Sequence, residues 1–357
     1  MRRLPVILAL LAIAGLAYRL FGQSAQPRLL WPVNGRLLSP LVTDDRWIGW
    51  VEQDEIASRL VVAPRRGGPR RTVLSGEGLS GLAIEGDRAF VARAEAGPGR
   101  AGGALEQVTL PDGGAATIAS LVGMPDEIIA SGDWLVWRST RRSALPGVPF
   151  VVAAAPLIVI QARRTEGGPV HTLTVVRGDR SASIAGCDLL GVVDGQAYWI
   201  ERDSPGAGLQ TRVLRAPCQG GDLDRVIEER GSRAAALQDD VLIWTAPSLD
   251  AGAIDSYASV KRLHIGHPQP EVIADWLEPG AGVLLSHGTA YAHDRNGLWR
   301  LGRRRGDQRR LFARPPRVIA LSAVGDHEYL VMAGAEGSVV AQRPLTWWAR
   351  IKAAVAL

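Results

Sequence analysis

The sequence predicts an all-β fold, a β-propeller built from repeated four-stranded units, on three observations. The first is the stretch from Gly186 to Ile227, where four short apolar runs (Leu189–Val193, Ala197–Glu201, Leu209–Leu214 and Leu223–Ile227) follow the period of a strand. Asp194-Gly195 separates the first two runs. Asp-Gly between apolar runs is the strongest short-range hairpin signal, because a type I′ turn needs positive φ at both central residues. Four antiparallel strands in about forty residues make one propeller blade. The second observation is recurrence: Trp50, Ala92, Trp137, Trp199, Trp244, Ala292 and Met332 mark the second strand of each unit, at spacings of 42, 45, 62, 45, 48 and 40 residues. The third is a turn ahead of each marker, at Asp44-Asp45, Gly86-Asp87, Gly132-Asp133, Asp194-Gly195, Asp239-Asp240, His287-Gly288 and Gly325-Asp326.

Counting in this way gives seven blades of four strands; the alternative is six, with one set of strands outside the ring. The seventh unit is one strand short, since Pro344 and a helical pattern follow Ser338–Gln342. Leu29–Val33 is the candidate for the missing strand, and closure of this kind removes the exposed edges that invite aggregation. The domain reading is therefore a signal or anchor segment at 1–25, a propeller at 28–343 and a C-terminal amphipathic helix at 344–357.

The N-terminal segment begins with Arg2 and Arg3 and continues as an apolar run, Leu4–Tyr18. That length suits a signal peptide better than a full span of about twenty residues. Cleavage before Ala25 and retention of residues 4–22 as an anchor are both open. In either case the leading arginines hold the N-terminus inside and place the body outside the cytoplasm, in a bacterial periplasm or on the outer face of the inner membrane. The run is not followed by a cysteine, which excludes a lipoprotein anchor. At the other end, Leu345–Leu357 reads as a short helix with Thr346 near its N-cap and Trp347, Trp348, Ile351 and Val355 on one face. Adjacent tryptophans beside Arg350 and Lys352 suit a bilayer interface; the other reading is a helix covering the side of the propeller.

The net charge of +5 is modest for 357 residues, and Lys261 and Lys352 are the only lysines. Basic blocks interleaved with aromatics are lacking, so nucleic acid is not an expected partner. Cys187 opens one strand of its blade and Cys218 follows a strand running the same way. Export favours pairing the two thiols, whereas the strand direction places them at opposite edges, beyond the ~7 Å Cα limit of a disulfide, so both outcomes are open. His264-x-x-His267 resembles a ligand pair, but turns of neighbouring blades are too far apart to complete a zinc site. Neither a G-x-S-x-G elbow nor an activated cysteine is found, and no catalytic residue, metal or cofactor is implied. Asp44, Asp45, Glu85, Asp87, Asp133, Asp194, Asp239, Asp240 and Asp326 are expected to form an acidic ring on one edge.

Tyr198-Trp199, followed by Val213, Arg215 and Gly220-Gly221, resembles the bacterial TolB-like and YWTD-like propellers, and Ile243-Trp244-Thr245 matches in part. Glu201 stands where the YWTD pattern ends in Asp. The resemblance runs over 37–343 at structural positions, so it implies a fold and no activity.

The third unit is the long one. It carries Arg141-Arg142, and residues 148–160 are all apolar, a run broken by Pro149 and Pro156 and too short to span a bilayer. Either it packs on a neighbouring blade or it docks on a membrane or partner. Long connections also fall at Glu95–Gly103, Ser204–Gly208 and Ala246–Ala258. The expected binding residues are Arg141, Arg142, Val148, Phe150, Val151, Val152, Trp347 and Trp348. The expected function is an exported, membrane-associated binding or scaffold module, a subunit of a membrane complex held through 4–22 and 345–357. The alternative is a periplasmic hydrolase or lyase using the central channel.

Overall fold

The computed structural model describes residues 28–94, 102–142, 156–177, 186–203, 210–232, 234–248, 257–286, 288–302, 307–313, 318–324, 327–334 and 337–344. Every regular element among them is a strand. Blade 1 has an inner strand in two pieces, Arg36–Leu37 and Val42–Thr43, then Trp47–Gln53, Ser58–Pro64 and Arg71–Gly76. Blade 2 is Leu79–Glu85, Arg88–Ala94, Gly102–Thr109 and Ala115–Val122; blade 3 is Met124–Ser131, Trp134–Arg142, Pro156–Arg164 and His171–Arg177. Blade 4 is Gly186–Val193, Gln196–Asp203, Gln210–Pro217 and Asp224–Arg230; blade 5 is Ala235–Gln238, Val241–Pro247, Ala258–His264 and Glu271–Leu277. Blade 6 is Gly282–Ser286, Thr289–Asp294, Gly297–Arg300 and Arg309–Ala313. Blade 7 takes Val318–Val324, His327–Gly334 and Gly337–Pro344, and its fourth strand is Arg28–Val33 from the other end of the chain. The count is seven, and among the described residues no strand is left outside the ring.

All pairings are antiparallel, and the first strands neighbour one another in sequence round the ring, Val318–Val324 returning to Val42–Thr43. The Asp194-Gly195 turn has φ of 50° and 70°, the two positive values that a type I′ hairpin requires.

The second-strand markers work because side chains alternate between two faces, each packed against a different blade. Trp50 packs with Trp31, Val33 and Val340 of blade 7, whereas the next residue, Val51, packs with Leu79, Leu82 and Ile84 of blade 2. Trp137 meets Phe90 and Ala92 of blade 2; Trp199 meets Val136 and Ile160 of blade 3; Trp244 meets Ile200 and Val213 of blade 4. The core is thus a series of apolar layers between blades. A buried indole N–H must find an acceptor. Trp50 Nε1 donates to Glu52 (2.8 Å), Trp137 to Gln161 (3.2 Å), Trp199 to Glu201 (3.1 Å) and Trp244 to Glu229 (2.5 Å).

Arg28–Val33 closes the ring by pairing with Gly337–Pro344, Trp31 opposite Val340 and Val33 opposite Ser338. Blade 1 grips the incoming strand. Trp31 Nε1 donates to the Gly68 carbonyl (2.9 Å), the Asn34 amide donates to Glu52 (2.9 Å), and the Arg70 guanidinium donates to the Pro32 carbonyl.

Residues 1–27 and 345–357, with the expected signal or anchor segment and terminal helix, lie outside the described residues. Among the described residues no helix is long and apolar enough to cross a membrane.

Candidate functional site

Tight turns of two or three residues between first and second strands, and the glycine-rich turns between third and fourth, share one edge of the ring. The connections between second and third strands leave the opposite edge. They are short in blades 1, 6 and 7 (54–57, 295–296, 335–336) and longer in blades 2 to 5 (95–101, 143–155, 204–209, 248–257). The link from blade 3 to blade 4, 178–185, belongs to the same edge. Of the expected binding residues, Arg141 and Arg142 end the second strand of blade 3 at this edge. Val148, Phe150, Val151, Val152, Trp347 and Trp348 lie outside the described residues.

Between these connections, blades 3 and 4 meet through charged side chains set in otherwise apolar strands. In blade 3 the register slips between Pro125 and Glu127, so Asp126 sits in a bulge and Glu127 pairs directly with Arg138. A bulge sets two residues against one and re-aims their side chains. Both carboxylates consequently reach the same guanidinium. Arg138 Nε lies 2.9 Å from Asp126 and its Nη1 lies 3.4 Å from Glu127. The same Nη1 crosses to blade 4, donating to Asp188 at 2.7 Å and to the Cys187 carbonyl. Arg202 holds the other oxygen of Asp188 at 2.5 Å, and the Leu189 amide donates to Glu127 at 2.8 Å.

This geometry sets the protonation states. Burial pushes Glu127 up to about 7; Arg138 and the Leu189 amide oppose the rise, while Asp188 and Asp126 add to it. Burial also works to raise Asp188, but Arg202 and then Arg138 outweigh it and hold the carboxyl below its usual range. Burial acts against the charge on Arg138, yet Asp126, Glu127 and Asp188 more than compensate, so it stays a cation. Cys187 and Cys218 are both free and buried, and burial pushes each up to about 12, which leaves them as inert thiols.

On the turn edge several of the expected acidic residues have arginine partners. Arg46 pairs with Asp87, Arg65 with Asp45, Arg88 with Glu85 and Arg164 with Asp133, so arginines interrupt the negative charge. The rings of His264 and His267 meet edge to face at 5.9 Å and His264 leans on Asp240; His287 lies outside the described residues. Among the described residues no three His, Cys, Asp or Glu side chains are grouped to hold a metal ion. A cleft of about 580 Å³ opens between blades 4 and 5, floored by Trp244, Leu263 and the Lys261–Glu229 pair. Its other charges are already matched, Arg215 with Asp224 and Arg225 with Glu228.

Sequence reasoning missed Asp126, Glu127, Arg138 and Arg202. The available signal was a charged residue at the centre of an apolar strand, as in Met124–Ser131 and Trp134–Arg142.

Neither protein-family models nor curated proteins match this sequence. Solved structures do, and they are propellers. The β-propeller domain of the Trilobed protease from Pyrococcus furiosus matches with a TM-score of 0.56 and 11% identity, over 89% of this chain and 96% of that one. At the level of fold, this chain is a β-propeller. An oligogalacturonate lyase from Vibrio parahaemolyticus matches with a TM-score of 0.59 and 9% identity, over 89% and 91%. Pyrococcus horikoshii acylaminoacyl peptidase gives 0.57 and 12%, over 92% of this chain and 53% of that one. This propeller thus spans about half the length of the peptidase. The Trilobed protease propeller is described as having an open velcro topology. In this chain the ring is closed, by Arg28–Val33 on Gly337–Pro344.

Proposed function

We propose that this propeller is an exported, membrane-associated binding or scaffold module whose working face is the edge of the long connections. One observation carries the reading. The connections that depart from the regular blade in blades 2 to 5 all join strand ends at that edge, while tight turns close the other. Rigid scaffolds place their binding residues on such loops. Residues 4–22 and 345–357 would hold the body at the membrane, and Arg141, Arg142, Val148, Phe150, Val151 and Val152 would contact the partner. Deletion of Ala144–Ala155 is expected to abolish co-purification with partners from gently solubilised membranes while far-UV circular dichroism stays that of a folded ring. Undiminished co-purification of the folded deletion overturns the reading.

A second reading, a periplasmic hydrolase or lyase, draws on Glu127. A carboxyl raised to about 7 beside Arg138 is suited to take and return a proton. The peptidase and the lyase among the structural matches support this class without supplying a substrate. Turnover of peptides or acidic oligosaccharides that Glu127→Gln abolishes would establish it.

A further inference from the structure

Among the described side chains, the charged layer between blades 3 and 4 does not balance. Three carboxylates, Asp126, Glu127 and Asp188, face two guanidiniums, Arg138 and Arg202. Arg138 is engaged by Asp126 through Nε and by Asp188 and the Cys187 carbonyl through Nη1. Arg202 is committed to Asp188. Glu127 is left with the longest ion pair of the group, 3.4 Å, and with the Leu189 amide of blade 4. Among the described residues the neighbours do not supply the missing charge. Cys187 is a neutral thiol, Glu201 is turned toward Trp199 and Arg212, and from blade 2 the hydroxyl of Ser80 reaches only the Pro125 carbonyl. Glu127 is also the one carboxylate that spans the joint from blade 3, so its charge state is felt by both blades.

We propose that the contact between blades 3 and 4 is a proton-sensitive latch, in which Glu127 takes up a proton to balance the layer and loses it when the joint is loosened. With Glu127 protonated, two carboxylates meet two guanidiniums and the joint is neutral. With Glu127 ionised, an extra negative charge faces Asp126 and Asp188, whose side chains are themselves about half exposed. Because the folded protein holds this proton more tightly than the unfolded chain, the latch is tight at low pH. It slackens as pH rises from the ordinary carboxyl range toward about 7. Asp188, held in its ionised form, stays charged throughout and keeps the repulsion in place.

The test is amide hydrogen exchange by mass spectrometry between pH 5 and 8.5, normalised for intrinsic exchange. It follows peptides spanning Met124–Ser131 and Gly186–Val193. The wild-type protein is expected to lose about tenfold or more of its protection in these two strands as pH rises, with blades 1, 6 and 7 unchanged, and Glu127→Gln to show a flat profile. Equal profiles in the two proteins, or a loss spread evenly over all blades, overturn the proposal. If Glu127→Gln does not fold, Asp188→Asn replaces it. Removing that neighbouring charge must move the midpoint of the protection loss to lower pH, and an unmoved midpoint is equally fatal.

Discussion

Truncating Trp31 tests whether Arg28–Val33 is what closes the ring. The side chain is only 7% exposed, stacks on Trp50 with centroids 6.4 Å apart and donates its indole N–H to the Gly68 carbonyl at 2.9 Å. Removing a buried tryptophan side chain costs about 3–5 kcal/mol. The hydrogen bond adds little, since Gly68 is exposed and water replaces the lost donor. The expected loss for Trp31→Ala is therefore about 3–5 kcal/mol, read from the denaturant midpoint by far-UV circular dichroism at unchanged slope. Trp276→Ala is the matched control, because Trp276 is 55% exposed and its loss is expected to cost under about 1 kcal/mol. A Trp31→Ala midpoint indistinguishable from that control refutes the closure argument. Deleting 28–33 outright uncovers the Gly337–Pro344 edge, and concentration-dependent association on size exclusion should accompany the loss of stability.

Three further outcomes follow from the same geometry. The stability of the wild-type protein should fall by an amount on the order of 3 kcal/mol or less between pH 4.5 and 7, because Glu127 is raised from its ordinary value to about 7; Glu127→Gln should remove this slope in denaturation midpoints. Cys187 and Cys218 should ignore a disulfide reagent at pH 8 in the folded protein and titrate as two thiols in denaturant, so rapid native labelling would contradict their burial. A Cβ at Gly186 would lie 2.7 Å from Arg202 Nη1 at a φ of +157°. Gly186→Ala should thus push Arg202 off Asp188 and cost about 1 kcal/mol or more, against a wild-type midpoint if the contact is unimportant.

Repeat architecture was legible because it rests on local chemistry. The positive φ at Asp194-Gly195 and the alternation around Trp50, Trp137, Trp199 and Trp244 are written into a few consecutive residues each. Leu29–Val33 could be read as the closing strand from the deficit in the seventh unit. The interrupted inner strand of blade 1 could not. There Ser39 replaces a ladder bond by accepting the Val51 amide through its hydroxyl, a contact twelve residues away that no period reveals. The charged joint was hidden for a related reason. Asp126 and Asp188 lie 62 residues apart, and only the bulge and the packing of blade 3 on blade 4 bring them, with Glu127, to one guanidinium.

Stability alone does not account for that joint. Below it, Trp199, Val136, Ile160 and Leu189 form a dry layer of the kind that holds the other blades together. Arg138, Arg202 and Glu127 are largely withdrawn from solvent, and covering that part of the joint with apolar side chains would match or exceed its stability, because the desolvation cost of such charges offsets their Coulombic gain. Yet here two arginines and three carboxylates are kept, one of them near neutrality, at the edge from which the longest connection of the ring departs. Breaking the network by Arg138→Leu leaves Asp126 and Asp188 without a shared cation and should destabilise the fold. Replacing the set together, with Asp126→Ser, Glu127→Leu, Arg138→Met, Asp188→Leu and Arg202→Met, should restore or raise the midpoint while abolishing its pH dependence. If the fivefold variant is as stable as the wild type and still retains every partner, the charges serve neither stability nor binding, and the functional weight placed on this edge moves to the loops alone.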